Sequence, residues 1–166
     1  MNTIEEISQL EKAYETEVTE EFLDEYGHMN VKWYAQLWGR GASAFFKGLG
    51  MDWTESTKFG RGHWVLRQVI DYKAEVPQGD HIAIHCRMIA HTDKVMHNAY
   101  FMINETQGKI ASTSEVLVGY ADLKARRLTS IPDDLVQTLD AHIEACDALD
   151  WEPELTGAID LSPAKR

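Results

Sequence analysis

Cysteine is scarce in this chain, with 2 among 166 residues. Two thiols cannot form a disulfide scaffold. Cys86 and Cys146 fall in apolar-patterned segments and read as buried free thiols. Positive charge is also short: 16 Lys and Arg stand against 27 Asp and Glu, a net charge of −11. That balance argues against nucleic acid as the main partner, because phosphate binding needs a basic surface. Long apolar runs are missing, and none approaches the roughly 18 residues of a membrane span. The opening Met1-Asn2-Thr3-Ile4-Glu5-Glu6 has neither a basic region nor an apolar stretch, so no signal peptide is expected. No repeat and no low-complexity segment interrupts the chain. These absences lead to the expectation of a cytoplasmic protein without a membrane partner.

What is present suffices for one domain with a real core, since 44% of residues are hydrophobic and 26% charged. Residues 1–13 are polar and read as a short helix or loose arm. Tyr14 to Thr19 alternates as a first strand, and Phe22 to Met29 reads as a loop. From Val31 to about Gly48, Tyr34, Leu37, Trp38, Ala42, Phe45, Phe46 and Leu49 recur at helical spacing. Gly39 and Gly41 lie inside that helix at a cost of about 1 kcal/mol each, which close approach to a sheet would offset. Gly48 and Gly50 are plausible stops. A short helix or loop follows at 52–60.

Four strands come next. Their expected faces are Trp64, Leu66, Ile70 and Tyr72, then Ile82, Ile84, Cys86 and Met88, then Val95, Ala99, Phe101 and Ile103, and last Val116, Val118 and Tyr120. Turns at 77–80, 91–94 and 105–108 separate them. After Pro132, Leu135, Leu139, Ile143, Cys146 and Leu149 mark an amphipathic helix. The expected class is α+β, a five-stranded antiparallel sheet wrapped around the long central helix, with a C-terminal helix. Dimerisation can cover the edges of such a sheet.

Asp24-Glu25-Tyr26-Gly27-His28-Met29-Asn30 stands directly before the central helix. Unpaired amides and partial positive charge at a helix start suit a developing oxyanion. A carboxylate facing them can act as nucleophile or as general base on a carbonyl carbon. Asp24 can equally cap the helix or anchor the loop. His28 can orient water or touch the carbonyl, or it can be structural. Asn30 can donate to a carbonyl or water, or cap the helix. His63 follows Gly62 at a strand start and either lines a pocket or sits exposed at the strand end. His81, His85, His91 and His97 match no closed metal spacing, so no metal is expected. Ser114 has no nucleophile-elbow glycines around it. Trp33, Trp38, Trp53 and Trp64 are either packing residues or an aromatic cage for a trimethylammonium head. Lys58, Arg61, Lys124, Arg126 and Arg127 lie in loop-like or strand-end positions.

Asp24-x-x-Gly27-His28-Met29-Asn30, the helix, and Tyr72-x-x-x-Val76-Pro77-x-Gly79-Asp80 together resemble the hotdog-fold acyl-CoA thioesterases of the 4-hydroxybenzoyl-CoA thioesterase type. The resemblance covers about residues 14–132. With Phe22-Leu23 before Asp24 and Ala111-Ser112-Thr113-Ser114-Glu115 late in the sheet, it runs closest to the branch of betainyl-CoA thioesterases.

The resemblance implies the hotdog fold and hydrolysis of a small acyl-CoA, betainyl-CoA or a similar thioester. The alternatives are a hotdog hydratase or dehydratase, and a non-catalytic acyl-CoA-binding protein. It implies Asp24 as the catalytic carboxylate, with His28 and Asn30 beside it and oxyanion amides near Val31 and Gly62. Substrate contacts fall to His63, Trp64, Trp33 and Ser114, and the CoA phosphates to Arg61, Arg126 and Arg127. No cofactor is implied beyond the CoA of the substrate, which lies between subunits of a homodimer or dimer of dimers. The expected division is an arm at 1–13, the hotdog thioesterase domain at 14–132, the C-terminal helix at 133–150 and an irregular tail at 151–166.

Overall fold

The computed structural model describes residues 2–161; Met1 of the expected arm and 162–166 of the expected tail lie outside the described residues. The order of elements is α1 (Ile4–Ile7), β1 (Lys12–Glu17), α2 (Val31–Gly48), α3 (Trp53–Lys58), β2 (Arg61–Tyr72), β3 (His81–His91), β4 (Val95–Asn104), β5 (Lys109–Asp122), β6 (Arg127–Leu128) and α4 (Asp133–Asp147). The strands pair antiparallel in the order β1-β3-β4-β5-β2. A sixth strand absent from the expectation, β6, adds onto β5 where the chain doubles back through Arg126 in a left-handed conformation (φ 54°).

Helix α2 forms because Asn30 caps it, its side chain accepting the Lys32 amide at 3.0 Å, while Tyr34, Leu37, Trp38, Gly41 and Phe46 turn one face inward. It ends where Gly50 takes a left-handed φ of 79°. Only one of its two inner glycines serves close approach. A Cβ on Gly41 would come within 2.7 Å of Ile84 Cγ2, whereas one on Gly39 would meet nothing within 4 Å. The buried face of α2 packs on Ile82, Ile84, Cys86 and Met88 of β3, on Met96, Tyr100 and Met102 of β4, and on Val116, Val118 and Tyr120 of β5.

The opposite face of the sheet is covered too. Ile7 and Leu10 before β1, and Cys146 and Trp151 at the end of α4 and beyond, bury Ala99, Phe101 and Ile103 of β4. The residues read from sequence as one face of that strand thus turn away from α2. Arg87 is buried under this cover, donating to the Trp151 carbonyl at 2.7 Å with its guanidinium 4.8 Å from the Trp151 ring centre.

Strand β2 departs most from expectation. Its register against β5 shifts between Val65 and Arg67, and the bulge divides the expected face. Trp64 lies under Arg126, and Leu66 packs over Gly119; Ile70 packs into the α2 core and Tyr72 against Tyr34. As the last strand of the path, β2 leaves one edge unpaired, with Val65 62% and Tyr72 52% exposed. The other edge, β1, instead carries charge, including Lys12 paired with Glu15 and Glu105. No helix among the described residues is long and apolar enough to cross a membrane.

Candidate active site

The loop before α2 is held by backbone hydrogen bonds at both ends. The Met29 amide donates to the Val76 carbonyl and the Asn30 amide to Phe22, each at 2.8 Å. Inside it the chain reverses tightly: the Asp24 amide donates to the His28 carbonyl, and the Gly27 amide returns to Asp24 at 3.1 Å. Gly27 takes φ 83°, a conformation that glycine adopts without strain. The Asp80 end of the second motif braces the neighbouring turn. Its carboxylate accepts from Asn104 and Gln107 at 2.7 Å each, which is a structural role.

This loop sets the Asp24 carboxylate at the start of α2, with only 12% of the side chain exposed. Oδ1 accepts the Tyr26 amide at 2.9 Å. Oδ2 lies 3.6 Å from His28 Nδ1, too far for a hydrogen bond. The cap on Asn30 takes the Lys32 amide, and the Val31 amide, first in the helix, has no partner within it. Asp24, His28, Asn30 and Val31 share a cleft of about 450 Å³ with Tyr34 and the chain from Tyr72 to Glu75. Tyr34 lies edge-on to Tyr72 with ring centres 5.0 Å apart. Burial, with Tyr72 and Glu75 nearby, pushes its hydroxyl up to about 12, so it stays protonated, and it donates to the Ala74 carbonyl at 3.4 Å. Sequence reasoning read Tyr34 only as helix core. The signal was Tyr72 leading the second motif, which carries this end of β2 to the Asp24 loop.

The remaining expected site residues lie elsewhere in the chain. Gly62 is at the opposite end of β2 from Tyr72, about 33 Å away for ten extended residues. The Leu123 amide bonds to the Gly60 carbonyl at 2.9 Å, so alternation along the ladder turns the Gly62 amide toward β5 and the His63 amide toward the open edge. Within one subunit the Gly62 amide is thus turned to β5 and stands at the far end of β2 from the Asp24 cleft. Arg61, Arg126 and Arg127 gather at this far end around Asp122, to which Arg61 bonds at 3.1 Å, and Arg126 lies over Trp64 at 5.3 Å. Trp33 stacks on Phe22 with ring centres 4.2 Å apart and donates to the Glu21 carbonyl, outside the cleft. Ser114 accepts from Gln68 at 3.0 Å, well into the sheet. His63 is stacked on Phe46 beneath α2, and desolvation pushes its pKa down to about 4, so it is neutral near pH 7. Of the four strand histidines, His85 bonds to the Leu10 carbonyl, His91 to Asp140 and His97 to Glu115.

A carboxylate that shares a cleft with the first residue of a helix can activate water or attack an acyl carbon while a helix-start amide receives the oxyanion. Residues 18–139 match the thioesterase-like superfamily. The betainyl-CoA thioesterase of Pseudomonas aeruginosa is 22% identical over 159 residues, covering 96% of this chain and all of that protein. The L-carnitine dehydrogenase/betainyl-CoA thioesterase of Agrobacterium fabrum is 27% identical over 134 residues, 81% of this chain but only 27% of its own length. This chain thus spans about a quarter of that two-function protein. Among solved structures, a Staphylococcus aureus protein in complex with CoA superposes with a TM-score of 0.76 at 20% identity, covering 89% of each chain. The curled sheet around α2 is the hotdog fold.

Proposed function

The chain belongs to the thioesterase-like superfamily, and on that premise we propose that it hydrolyses a small acyl-CoA to the free acid and CoA. One observation carries the reading: Asp24 and Val31 line one cleft at the start of α2. Water adds to the thioester carbonyl, with Asp24 either taking its proton or attacking first to form a mixed anhydride that water then opens. The carbonyl oxygen becomes an oxyanion against the Val31 amide, and the C–S bond breaks to release the CoA thiolate, which is protonated to the thiol. His28 orients the water, and Asn30 holds the helix start in place. Betainyl-CoA, the substrate in the names of the relatives, is the leading substrate.

The active protein is a dimer formed across the open β2 edge, and dimers can pair into a tetramer. An exposed edge of 12 residues bearing Val65, Leu66 and Tyr72 is a ready partner for a second copy. Antiparallel pairing of two β2 strands lays the Gly62 end of one beside the Tyr72 end of the other. The second copy then brings its His63 amide and its Arg61, Arg126 and Arg127 to the Asp24 cleft, as oxyanion and phosphate contacts. No cofactor is needed beyond the CoA of the substrate. The cytoplasm, where two free thiols stay reduced, is the compartment. Release of free thiol from acyl-CoAs, read with a thiol reagent, tests the reading. Absence of thiol from betainyl-CoA and from every other short acyl-CoA would overturn it.

A further inference from the structure

Exposed apolar side chains stand at both ends of β2. Of the seven large hydrophobic side chains exposed among the described residues, six belong to β2, to the turn before it, or to the start of α2 and its loop. Scattered singly, such residues mean little, but a cluster of them marks an interaction surface. At one end is Phe59, 78% exposed, two residues ahead of Arg61. Its backbone is fixed. The Phe59 amide donates to the Ser56 carbonyl at 3.0 Å, and the Gly60 carbonyl accepts the Leu123 amide at 2.9 Å. At the other end are Tyr72, Val31 and Tyr26, the last 79% exposed. Tyr26 is held by its amide on Asp24, with its ring centre 6.1 Å from that of His28. Val31 lines the Asp24 cleft and is itself exposed, so it marks the open side of that cleft.

Within one chain neither end can cover the other, because the length of β2 separates them. A two-fold axis brings them together. In such a contact residue i of one copy meets residue j of the other, and j meets i. Pairing two β2 strands antiparallel and end to end is that operation. Phe59 lies two residues before the strand and Ala74 two residues after it, so the partner's Phe59 arrives beside Ala74. Ala74 and Val31 both line the Asp24 cleft. We propose that the partner's Phe59 seats on Val31 and Ala74, closes the open side of the cleft and forms the wall that packs on the acyl group. The proposal deepens the thioesterase reading and rests on it. One symmetric contact covers both apolar ends at once, whereas an unrelated partner would need to match two separate patches. An apolar wall also keeps bulk water from the thioester. That strengthens the action of the Asp24 charge and of a helix-start amide on the reacting carbonyl. Each cleft is thus incomplete in a single chain.

Complementation between two impaired full-length variants tests the wall. Phe59→Ala alters an exposed side chain, so it should fold and should release thiol from betainyl-CoA and acetyl-CoA about tenfold more slowly than the wild type. Phe59→Ala and Asp24→Asn chains are then co-expressed with different affinity tags, and the mixed dimer is isolated. One of its two clefts has an intact Asp24 facing the partner's Phe59, so activity should return to about half that of the wild type. A Phe59 that acted within its own chain would leave the mixed dimer at about a twentieth. Contact is read separately, without catalysis. Phe59→Cys/Ala74→Cys should cross-link between copies under mild oxidation, and neither single variant should, since Cys86 and Cys146 are buried. Full turnover by Phe59→Ala, or a mixed dimer no more active than about a twentieth, overturns the wall. Failure of the double variant to cross-link overturns the seating. Cross-linking with no thiol from any acyl-CoA by the wild type upholds the seating and overturns the thioesterase reading.

Discussion

The Asp24 carboxylate and the His28 imidazole face each other at 3.6 Å across the mouth of one cleft, without a hydrogen bond between them. The oxygen nearer the imidazole is therefore not held by it, while the other is fixed by the Tyr26 amide. Asp24→Asn keeps the acceptor for that amide and removes the negative charge. We expect thiol release to fall about 10²–10⁴-fold with the melting temperature nearly unchanged. Near-normal turnover by Asp24→Asn would assign the chemistry to another group.

His63 sets a stability dependence on pH. Burial lowers its pKa from 6.5 to about 4. Between those values the unfolded chain binds a proton that the folded chain excludes. Stability is therefore complete above about pH 6.5 and declines as pH falls toward 4. His63 accounts for up to about 3 kcal/mol of that decline, at about 1.4 kcal/mol per pH unit. Urea unfolding near pH 7 and near pH 5 should show the loss, and His63→Phe should flatten it. His85 and His142 are also lowered by burial, so a residual slope should survive.

The two inner glycines of α2, Gly39 and Gly41, should respond in opposite directions. Gly41→Ala drives a methyl against Ile84, which is fully buried and branches at the contact, and should cost about 1–3 kcal/mol. Gly39→Ala meets open space and should stabilise by about 0.5–1 kcal/mol through helix propensity. Thermal melts of the two variants decide this, and equal shifts would contradict the packing described for α2.

The open β2 edge predicts the oligomeric state. Leu66→Asp places a charge on a side chain that is 45% exposed on that edge. Light scattering should show a dimer for the wild type and a monomer for the variant. Thiol release should fall at least about tenfold, because each cleft then lacks its neighbour's amide and arginines. A fully active monomer would place the whole site within one chain.

Local patterns made much of the fold legible. Asn30 followed by Tyr34, Leu37 and Trp38 specifies the start and inward face of α2, and the structure begins the helix at Val31. Period-two alternation placed Val116, Val118 and Tyr120 together on one face, where they meet α2. The division of β2 at Leu66 was not legible, since a bulge leaves no mark in hydrophobic alternation and shows only when β5 is paired against it. Nor was the cover over the second face of the sheet. Ile7, Leu10 and Trp151 are too sparse along the chain to form a periodic signal, and they meet only in space. At the site, Asp24, His28, Asn30 and Val31 could be read together because one loop holds them. Gly62 and the arginine cluster could not be placed, because the length of β2 separates them from that loop.

By itself the sequence determined the local chemistry: a carboxylate, a flexible glycine and a capping amide ahead of an amphipathic helix. Turn geometry and hydrogen bonds within a few residues suffice for that. Tertiary structure alone decided which rings meet at the seam between α2 and β2 and which strand edge stays open. Trp38, Trp53, His63 and Tyr100 come from four separate elements or their borders, and antiparallel pairing across β4, β5 and β2 brings them to one seam. Side-chain periodicity fixes the face a residue occupies, whereas its neighbours across that face depend on strand order and register.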